Sequence, residues 1–555
     1  MRPSNVSIEP DTPRKSIPPS NEDLESYIFG IGQAIDLPKK LTFLQQIFSF
    51  PAMLASLLVG AVFVPGRKFL VDPDIWWHLK VGDTILATHR WPTIDPYSFT
   101  VFGNPWVAHE WLGDVLFAAV YRAGGTLALE ALLIALGSAV VLSLYALGTL
   151  RSGNSKAGFL AATVLLVLTT ISFTMRPQML GYLFLVLTLI ALERFRQGKR
   201  GVWWLPVLMV VWVNTHASWI TGLGVILAYW LGGLTESQIG DIEIRRWTDS
   251  ERRTIACVFL LSLIALAITP YGTRLAAFPF EAAFSMPLSV KYIWEYQPIP
   301  FNLLPGKLFL VLFLGTVLLQ AMFRFRWRLE EFVLFLFGAM MACLHVRFLL
   351  LFVPLYAPIL ATILARWMPA YDRTKDKFYV NAALMASVAA SLVYFFPSRT
   401  DIQKSIANQF PVAAVQYLRS HPIPGRVFNS WDFGAYLLWA EGPEHKVFLD
   451  GRSEIYEPAG ILSDYMYISR IEPGALAVLN LYHVQYCLLA RDEPLATLLS
   501  GSPEWHRVYF DDVSTVFVRN PTTVDSTGGE AQPLSLRVSD PESSRLRVLI
   551  RHRNS

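Results

Sequence analysis

About eleven apolar stretches, separated by short polar or basic segments, follow one another through the larger, N-terminal part of the chain. A helix needs about 20 apolar residues to cross a hydrocarbon core about 30 Å thick. The pattern therefore predicts about eleven transmembrane helices, several of them short for a bilayer. The stretches are 41–64, 127–150, 157–174, 178–192, 202–213, 220–234, 254–268, 308–322, 332–344, 349–364 and 380–396.

After residue 396 the pattern changes to short alternating elements, which predict a small α/β domain over residues 397–520. Three segments predict helices: PVAAVQYLRSHP, FGAYLLWA and ALAVLNLYHV. Five predict strands, the last two as a closing hairpin: RVFNS, KVFLDG, QYCLLA, RVYFDD and STVFVRN. The fold class expected is mainly α, a polytopic membrane protein with a C-terminal α/β domain.

Both ends of the chain are polar, and residues 1–40 and 521–555 are predicted to be disordered. The N-terminal 40 residues lack the apolar centre of a cleavable signal peptide, so the first apolar stretch is interpreted as a signal anchor. The transmembrane domain is then expected over residues 41–396, with a long outer loop at 65–125.

Composition agrees with a membrane protein. Hydrophobic residues make up 53% of the chain and charged residues 16%, with a mean hydropathy of +0.39. The net charge of +4 gives no reason to expect a nucleic-acid partner. Cys257 and Cys343 lie in apolar stretches and Cys487 in a predicted strand, so neither a disulfide framework nor a metal-thiolate site is indicated.

The basic residues predict the orientation in the membrane, because short loops rich in Lys and Arg remain in the cytoplasm. A cytoplasmic N-terminus makes every cytoplasmic loop basic, and it places the C-terminal domain outside. The basic loops are RSGNSK, ERFRQGKRG, the segment with Arg245, Arg246, Arg252 and Arg253, RFRWR, and ARWMPAYDRTKDK.

Unusual polar residues gather on the predicted outer side, and the first group is the DPD motif. Asp72-Pro73-Asp74 opens a helical pattern in which Asp74 and His78 stand four residues apart on one face. Such carboxylates can bind a divalent cation, Mg or Mn, or can deprotonate an acceptor hydroxyl. Asp72 also fits a helix N-cap, and Asp74 a first-turn acid that faces the positive helix end.

His109 and Glu110 begin a second outer helix, VAHEWLGDVLFAAVYRAGG, whose apolar stripe predicts that it lies along the membrane surface. They are candidate acceptor-side groups, while Glu110 also fits an ordinary first-turn acid. The tryptophans of this loop are predicted to lie at the membrane interface. They are Trp76, Trp77, Trp91 and Trp106.

Arg176, His216 and Arg347 each stand at the outer end of a predicted span. Guanidinium groups suit a lipid-linked phosphate, so these three are the candidate donor-phosphate ligands. The alternative is that the arginines extend to water or pair with an acid. The long apolar loop 271–306, which contains Glu295, is a candidate substrate lid.

An acidic motif in the first outer loop, about eleven spans, a long later outer loop and a C-terminal α/β domain together resemble the GT-C superfamily of membrane glycosyltransferases. The resemblance covers the architecture from about residue 41 to 520. It implies a polyprenyl-phosphate or pyrophosphate sugar donor. By analogy, Asp72 or Asp74 becomes the acceptor-activating or metal-binding carboxylate, and Glu295 corresponds to a glutamate of the long outer loop.

Within that superfamily, the C-terminal domain is similar to that of oligosaccharyltransferases, whose WWDYG motif contacts the acceptor peptide. The segment NSWDFGAYLLWAEGPEHKVFLDG offers Trp431, Asp432 and Gly434. Two features depart from the family pattern. Ser430 replaces the first Trp of the motif, and MRPQ occupies the turn where the family has a second acidic pair, which leaves both peptide glycosylation and a metal in question.

The leading hypothesis is an integral membrane glycosyltransferase, expected in a bacterial inner membrane. It moves a sugar from a polyprenyl-phosphate-linked donor to a glycan, lipid or protein acceptor at the outer face. Asp74 or Asp72 activates the acceptor, and Arg176, His216 and Arg347 bind the phosphate. The alternatives are a transporter or flippase for a lipid-linked or anionic solute, and a non-catalytic assembly factor for envelope glycans.

Overall fold

The computed structural model describes residues 43–66, 72–169, 173–442 and 445–521. The predicted disordered segments, 1–40 and 521–555, lie outside the described residues except for residue 521. The fold is mainly helical, and each predicted apolar stretch coincides with a helix. The helices up to residue 395 are α1 (Phe43–Ile47), α2 (Phe50–Gly66), α3 (Asp74–Thr88), α4 (Trp111–Ser152), α5 (Ser155–Thr169), α6 (Gln178–Arg196), α7 (Leu205–Val213), α8 (Trp219–Leu231), α9 (Asp249–Ala265), α10 (Thr273–Ser285), α11 (Pro287–Tyr292), α12 (Leu304–Phe323), α13 (Leu329–Leu344), α14 (Leu349–Ala365) and α15 (Phe378–Phe395).

Length and apolar character make the chain an integral membrane protein, while the number of about eleven spans stays a prediction. Of the helices in the described ranges, five are long and apolar enough to cross a membrane, and three more are apolar but shorter. Helix α7 has only nine residues, because the predicted stretch at 202–213 begins with non-helical residues. The five are α4, α6, α12, α14 with the turn before it, and α15.

Burial separates the central helix from the peripheral ones. Almost every residue of α14 is buried, whereas α12 and α15 expose large apolar side chains such as Val311 and Val393. A helix that is apolar on all sides belongs either in a core or against lipid. Helix α14 is therefore the centre of the bundle, and α12 and α15 form part of its lipid-facing surface.

The outer loop folds into α3 and the first part of α4. Gly125 has a φ of 67°, which breaks the helical backbone, so the residues before it form an outer helix and those after it the span. Gly82 of α3 lies against the backbone of Asp114, where an added Cβ would stand 2.0 Å from the carbonyl oxygen. This close approach packs α3 directly onto the outer part of α4.

The C-terminal domain contains four strands, β4 (Arg426–Asn429), β5 (Val484–Ala490), β6 (Trp505–Phe510) and β7 (Ser514–Arg519). They form one sheet in the order β4-β5-β7-β6. β4 and β5 are parallel and the other pairs antiparallel, with β6 and β7 forming the predicted hairpin. The three predicted helices are also confirmed. The helices of this domain are α16 (Arg399–Ala407), α17 (Val412–Ser420), α18 (Trp431–Glu441), α19 (Ser453–Tyr456), α20 (Ile461–Ser469), α21 (Ala475–Leu481) and α22 (Pro494–Ser500). A second small sheet in the membrane domain consists of β1 (Ser237–Ile239), β2 (Ile242–Ile244) and β3 (Trp327–Arg328).

One strand prediction in this domain was wrong. KVFLDG does not join the sheet, and Val447 makes only an isolated bridge to Ser98 of the outer loop. The reason is a buried ion cluster directly after it: Arg452 pairs with Asp450 at 2.6 Å and with Asp95 of the outer loop at 2.8 Å. The segment therefore joins the two domains instead of extending one of them.

The predicted interfacial position was also wrong for three of the four tryptophans. Trp76, Trp77 and Trp106 are at most 5% exposed, and only Trp91 has an exposed ring. Trp76 packs against aromatic rings of the C-terminal domain, including Tyr436 and Trp439 of α18. Amphipathic rings suit a buried domain contact as well as a membrane surface. Here the Trp76 ring packs the outer loop against the α/β domain.

Candidate functional site

The DPD motif forms the start of α3 and meets an arginine from the turn before α6. Asp72 accepts a hydrogen bond from the backbone N–H of Asp74 at 3.0 Å, which is a capping role. Its other carboxylate oxygen accepts from Nε of Arg176 at 2.6 Å. The two interpretations of Asp72, helix cap and site residue, are therefore compatible.

Arg176 is surrounded by carboxylates. In addition to Asp72, it pairs with Asp74 at 2.9 Å and with Glu295 at 2.9 Å, so each guanidinium nitrogen has its own carboxylate. Three acids face one cation. This group, which we call the carboxylate cluster, brings together three predicted site acids that are up to 223 positions apart in the sequence.

A second group, the histidine cluster, adjoins the first. Its centre is Glu110, whose carboxylate lies 3.4 Å from His216 and 3.7 Å from His78. His78 also lies 2.6 Å from Asp114 of α4. His109 lies 3.9 Å from Glu110. All four predicted members, three histidines and one glutamate, thus occupy one buried region.

Burial determines which side chains of the histidine cluster are charged. Desolvation lowers the pKa of His109 to about 3, and it lowers the pKa values of His78 and His216 well below their usual range. It raises the pKa of Glu110 to about 8. Near neutral pH the three imidazoles are therefore neutral and Glu110 is mostly protonated.

Asp74 has a different balance. Burial raises its pKa to about 7, assisted by the charges of Asp72 and Glu295 and opposed by Arg176. A carboxylate that titrates near neutral pH is available both as a proton acceptor and as a proton donor. Among the predicted acids, Asp74 therefore has the protonation behaviour that suits a general base.

Arg347 completes the site from the start of α14. Its guanidinium lies 4.6 Å from the ring centre of Tyr296, and its charge contributes to lowering the pKa of His216. Unlike Arg176, it makes no ion pair with a carboxylate within the described ranges. Arg347 is thus the arginine with hydrogen-bonding capacity available for a phosphate.

Loop 271–306 covers this region and is fastened at both sides. Phe278 of α10 stacks on His109 with ring centres 4.0 Å apart. On the C-terminal domain, Glu457 accepts hydrogen bonds from the backbone N–H and the hydroxyl of Ser289. The backbone of Gln297 bonds that of Val346, next to Arg347. Loop 271–306 therefore contacts the histidine cluster, the C-terminal domain and the turn that carries Arg347, while its role as a substrate lid stays a prediction.

The C-terminal domain contributes residues that sequence reasoning missed. Glu454 of α19 lies 3.9 Å from His109, and burial raises its pKa to about 7. Gly451 stands so close to Asp74 that an added Cβ would be 1.9 Å from the carboxylate oxygen. The Asp450-Gly451 pair was a visible signal for this second position, whereas nothing in the sequence distinguishes Glu454 from a surface acid.

Trp431 and Asp432 lie at the start of α18, at the edge of the site. The Trp431 ring packs near Tyr465, and its backbone N–H donates to the Tyr465 hydroxyl at 2.7 Å. Partial loss of hydration, with the nearby charge of Asp72, raises the pKa of Asp432. Gly434 is required by packing, because a Cβ there would stand 2.0 Å from the Leu449 carbonyl oxygen.

A divalent cation at Asp74 was one possibility that the sequence left open, and it stays a prediction. In the part of the chain that the structure describes, no group of three or more His, Cys, Asp or Glu side chains is arranged to hold a metal ion. The carboxylates of the cluster point at the guanidinium of Arg176 instead. This arginine belongs to the MRPQ turn, where the resemblance had led us to expect acids.

No protein-family model and no curated protein matches the chain. Among solved structures, it is similar to the oligosaccharyltransferase of Archaeoglobus fulgidus tethered to an acceptor peptide with the NVT sequon. The TM-score is 0.50 at 12% identity, over 80% of this chain and 70% of that chain.

Two further structures match less well. ArnT from Cupriavidus metallidurans, bound to undecaprenyl phosphate, gives a TM-score of 0.47 at 12% identity over 85% and 98% of the two chains. The arabinofuranosyltransferase AftD from Mycobacteria gives 0.46 at 14% identity over 86% and 42%. The fold assignment rests on the oligosaccharyltransferase, and at such low identity it concerns the fold alone. The chain has a GT-C-like fold.

Proposed function

We propose that the protein is a membrane glycosyltransferase that moves a sugar from a polyprenyl-phosphate-linked donor to an acceptor hydroxyl at the outer face of a bacterial inner membrane. The observation that carries this proposal is one buried group of side chains, in which Asp74 contacts Arg176 at 2.9 Å and the charges of Asp74 and Arg347 both act on Glu110. A base and a phosphate ligand are the two groups that sugar transfer from a lipid phosphate needs. The GT-C-like fold supports the same class.

Asp74 accepts the proton of the acceptor hydroxyl as that oxygen attacks the anomeric carbon. The new bond forms between the acceptor oxygen and this carbon, while the bond from the carbon to the donor phosphate oxygen breaks with inversion. The departing polyprenyl phosphate carries the bonding electrons, and Arg347 stabilises its negative charge. The neutral His216 and protonated Glu110 add hydrogen-bond donors without adding charge that would repel the phosphate.

Arg176 positions the base in this scheme. Its contacts with Asp72 and Glu295 hold the guanidinium, which in turn orients Asp74 at 2.9 Å. We propose that this guanidinium supplies the positive charge at the centre of the carboxylate cluster. The mechanism takes no step through a metal ion, because the cluster is occupied by a side chain of the protein itself.

The test is sugar transfer by the purified protein, using radiolabelled polyprenyl-phosphate sugars with extracted envelope lipids and glycans as acceptors. We expect Asp74→Asn to lower the transfer rate by about 100-fold or more, the usual contribution of a general base. Asp83→Asn is the matched control, because Asp83 lies on the same helix with an exposed side chain paired to Arg122. Equal activity of the two variants would remove Asp74 from the mechanism.

The same assay distinguishes the transferase hypothesis from the transporter hypothesis. Reconstituted vesicles that move the lipid-linked sugar between leaflets, without sugar transfer to any acceptor, would favour a flippase. Transporters place their sites near the membrane midplane, whereas the two clusters here lie at the ends of α3, α6 and α14. The position of the site therefore favours the transferase.

A further inference from the structure

A second charged site lies at the other end of the membrane helices. Helix α6 begins beside Arg176 and ends at Arg196, which 19 residues place about 28 Å away. There the chain forms a cavity of about 460 Å³, lined by seven arginines and two glutamates. Nothing in the proposed transfer reaction uses this cavity, which we call the inner arginine pocket.

The floor of the pocket is built from paired arginines. Arg151 pairs with Glu331 at 2.5 Å, and Arg328 pairs with Glu193 at 2.6 Å. Arg196 pairs with Glu330 at 2.5 Å, with both side chains at most 3% exposed. Arg328 also lies 4.0 Å from Glu331, so three arginines and three glutamates share these contacts and are close to neutral as a group. They give the pocket a fixed base but leave little positive charge for a ligand.

The rim carries the available charge. Four exposed arginines line it: Arg245, Arg324, Arg326 and Arg366. None of the four makes an ion pair with a carboxylate in the described segments. Counting Glu243, which also lines the cavity, seven arginines face four glutamates, an excess of three positive charges.

The backbone holds this rim in a disfavoured conformation. Arg324 follows α12 with a φ of 47°, in the left-handed region where large side chains are uncommon. The segment then enters β3, which pairs with β2 and so aligns Arg328 with Glu243. The residue that adopts this left-handed conformation after a helix is ordinarily glycine.

The pocket also has an apolar wall that continues to the lipid-facing surface. Phe325, Ile359 and Ile363 line the cavity, and Arg366 lies 4.4 Å from the ring centre of Phe325. Beside it, Phe323 and Trp367 expose their rings. A ligand seated here meets guanidinium groups at one end and apolar surface at the other, as the headgroup and first chain carbons of a lipid would.

We propose that the inner arginine pocket binds the phosphate headgroup of an anionic lipid from the leaflet opposite the candidate transfer site. An excess of three positive charges suits a headgroup of about two negative charges, such as a phosphomonoester or cardiolipin. The arginine fork matches phosphate oxygens in geometry as well as in charge. This proposal holds whether or not the protein transfers a sugar.

The test is native mass spectrometry of the full chain released from phosphatidylcholine nanodiscs doped with cardiolipin or phosphatidic acid. The variant R324A/R326A/R366A removes three rim charges and leaves the paired floor intact. We expect lipid retention to fall about 100-fold, since each arginine near a charged lipid surface contributes about fivefold. The matched control is K199A/R200A/R253A, which removes three exposed charges that do not line the pocket.

Three outcomes would overturn the proposal. Equal retention by the rim and control variants would mean that lipid binding is unspecific charge attraction. Displacement of the lipid by inorganic pyrophosphate, with pyrophosphate bound in undoped nanodiscs, would identify a soluble anion instead. If the rim variant elutes as an aggregate, the milder R324K/R326Q pair is used, and unchanged retention by that pair would also count against the pocket.

Discussion

The two ends of the helix bundle bury arginines and carboxylates in different proportions. At the outer end, Arg176 faces three carboxylates, Asp72, Asp74 and Glu295. At the inner end, three arginines pair with an equal number of glutamates: Arg151 with Glu331, Arg196 with Glu330, and Arg328 with Glu193. The same residue types therefore make an unbalanced cluster at one end and balanced pairs at the other.

The difference distinguishes ion pairs that have a structural role from acids that have a chemical one. A buried ion pair holds elements together when each charge has a partner. In the unbalanced cluster, one cation cannot satisfy three anions, so burial and mutual repulsion raise the pKa of Asp74 to about 7. Perturbed acids of this kind mark functional sites more often than ordinary ion pairs do. The balanced end instead provides a rigid base under its unpaired rim.

The comparison is tested most strongly by Arg196→Ala at the balanced end. The change leaves Glu330 buried without its partner and removes the contact with the Trp247 ring at 3.8 Å. We expect a loss of about 3–5 kcal/mol in the free energy of unfolding, the usual result of orphaning a buried charge. Denaturant unfolding in detergent measures it.

Two variants control this experiment. Arg246→Ala breaks an exposed ion pair with Asp249 and should cost less than about 1 kcal/mol. Adding Glu330→Gln to Arg196→Ala removes the orphaned charge and should restore part of the stability. If Arg196→Ala and Arg246→Ala unfold alike, the inner pairs are not structural.

Arg176→Ala tests the unbalanced end, where we expect the effect on activity to exceed the effect on stability. The freed carboxylates can take up protons, which limits the destabilisation. Transfer should fall by about 100-fold, because Asp74 loses the group that orients it. Arg122→Ala, which breaks an exposed pair with Asp83, is the control.

The same variant tests whether the guanidinium takes the place of a cation. Without Arg176, three carboxylates face an open space, and oxygen ligands of this kind bind Mn²⁺ or Mg²⁺. We expect Mn²⁺ to bind the variant at least about tenfold more tightly than the unmodified protein, as measured by calorimetry. Equally tight binding by the unmodified protein would show that Arg176 does not occupy the cation position.

Gly451→Ala tests the contact between the C-terminal domain and the unbalanced cluster. The added Cβ would stand 1.9 Å from the Asp74 carboxylate, so the side chain must move. We expect about a tenfold loss of transfer, since small displacements of a base are costly. Gly315→Ala adds the same methyl group where α12 has open space. Comparable losses in both variants would exclude a specific effect on Asp74.

The helices were predictable from the sequence because their apolar stretches are continuous. The balance of charges was not, since it depends on contacts between distant positions. Arg176 was assigned to a phosphate, but nothing local shows that Glu295 and both acids of the DPD motif would reach it. The roles of these residues stay predictions until the variants are measured.

The tryptophans show the same limit. An aromatic ring near a predicted span suits the membrane interface, and Trp76 was placed there. The structure buries it against α18, because the C-terminal domain folds back over the outer loop. That docking also explains why Glu454 enters the site and why KVFLDG pairs with Ser98 instead of joining the sheet.

The smallest effect on the rate at neutral pH is expected for Glu110→Gln, which tests the pH dependence of transfer. Asp74 must be deprotonated to accept a proton, so the rate should rise with pH up to about 7, changing tenfold per pH unit below it. Glu110 becomes charged above about pH 8 and then repels the donor phosphate, so the rate should fall again. Glu110→Gln should remove this alkaline fall while changing the rate at pH 7 by less than about twofold.

The stability of the protein should change with pH in the opposite direction from that expected for an ordinary paired carboxylate. Because burial raises the pKa of Glu110 from 4.5 to about 8, the folded protein binds more protons than the unfolded chain between these values. Stability is therefore lost as the pH rises through this window, and Glu110→Gln should flatten the loss. Two results would contradict these predictions: an acidic limb of the transfer rate near pH 4 instead of 7, or an alkaline fall that persists in Glu110→Gln. Either result would mean that the acids of the unbalanced end titrate like ordinary surface acids. The two ends would then differ in geometry alone.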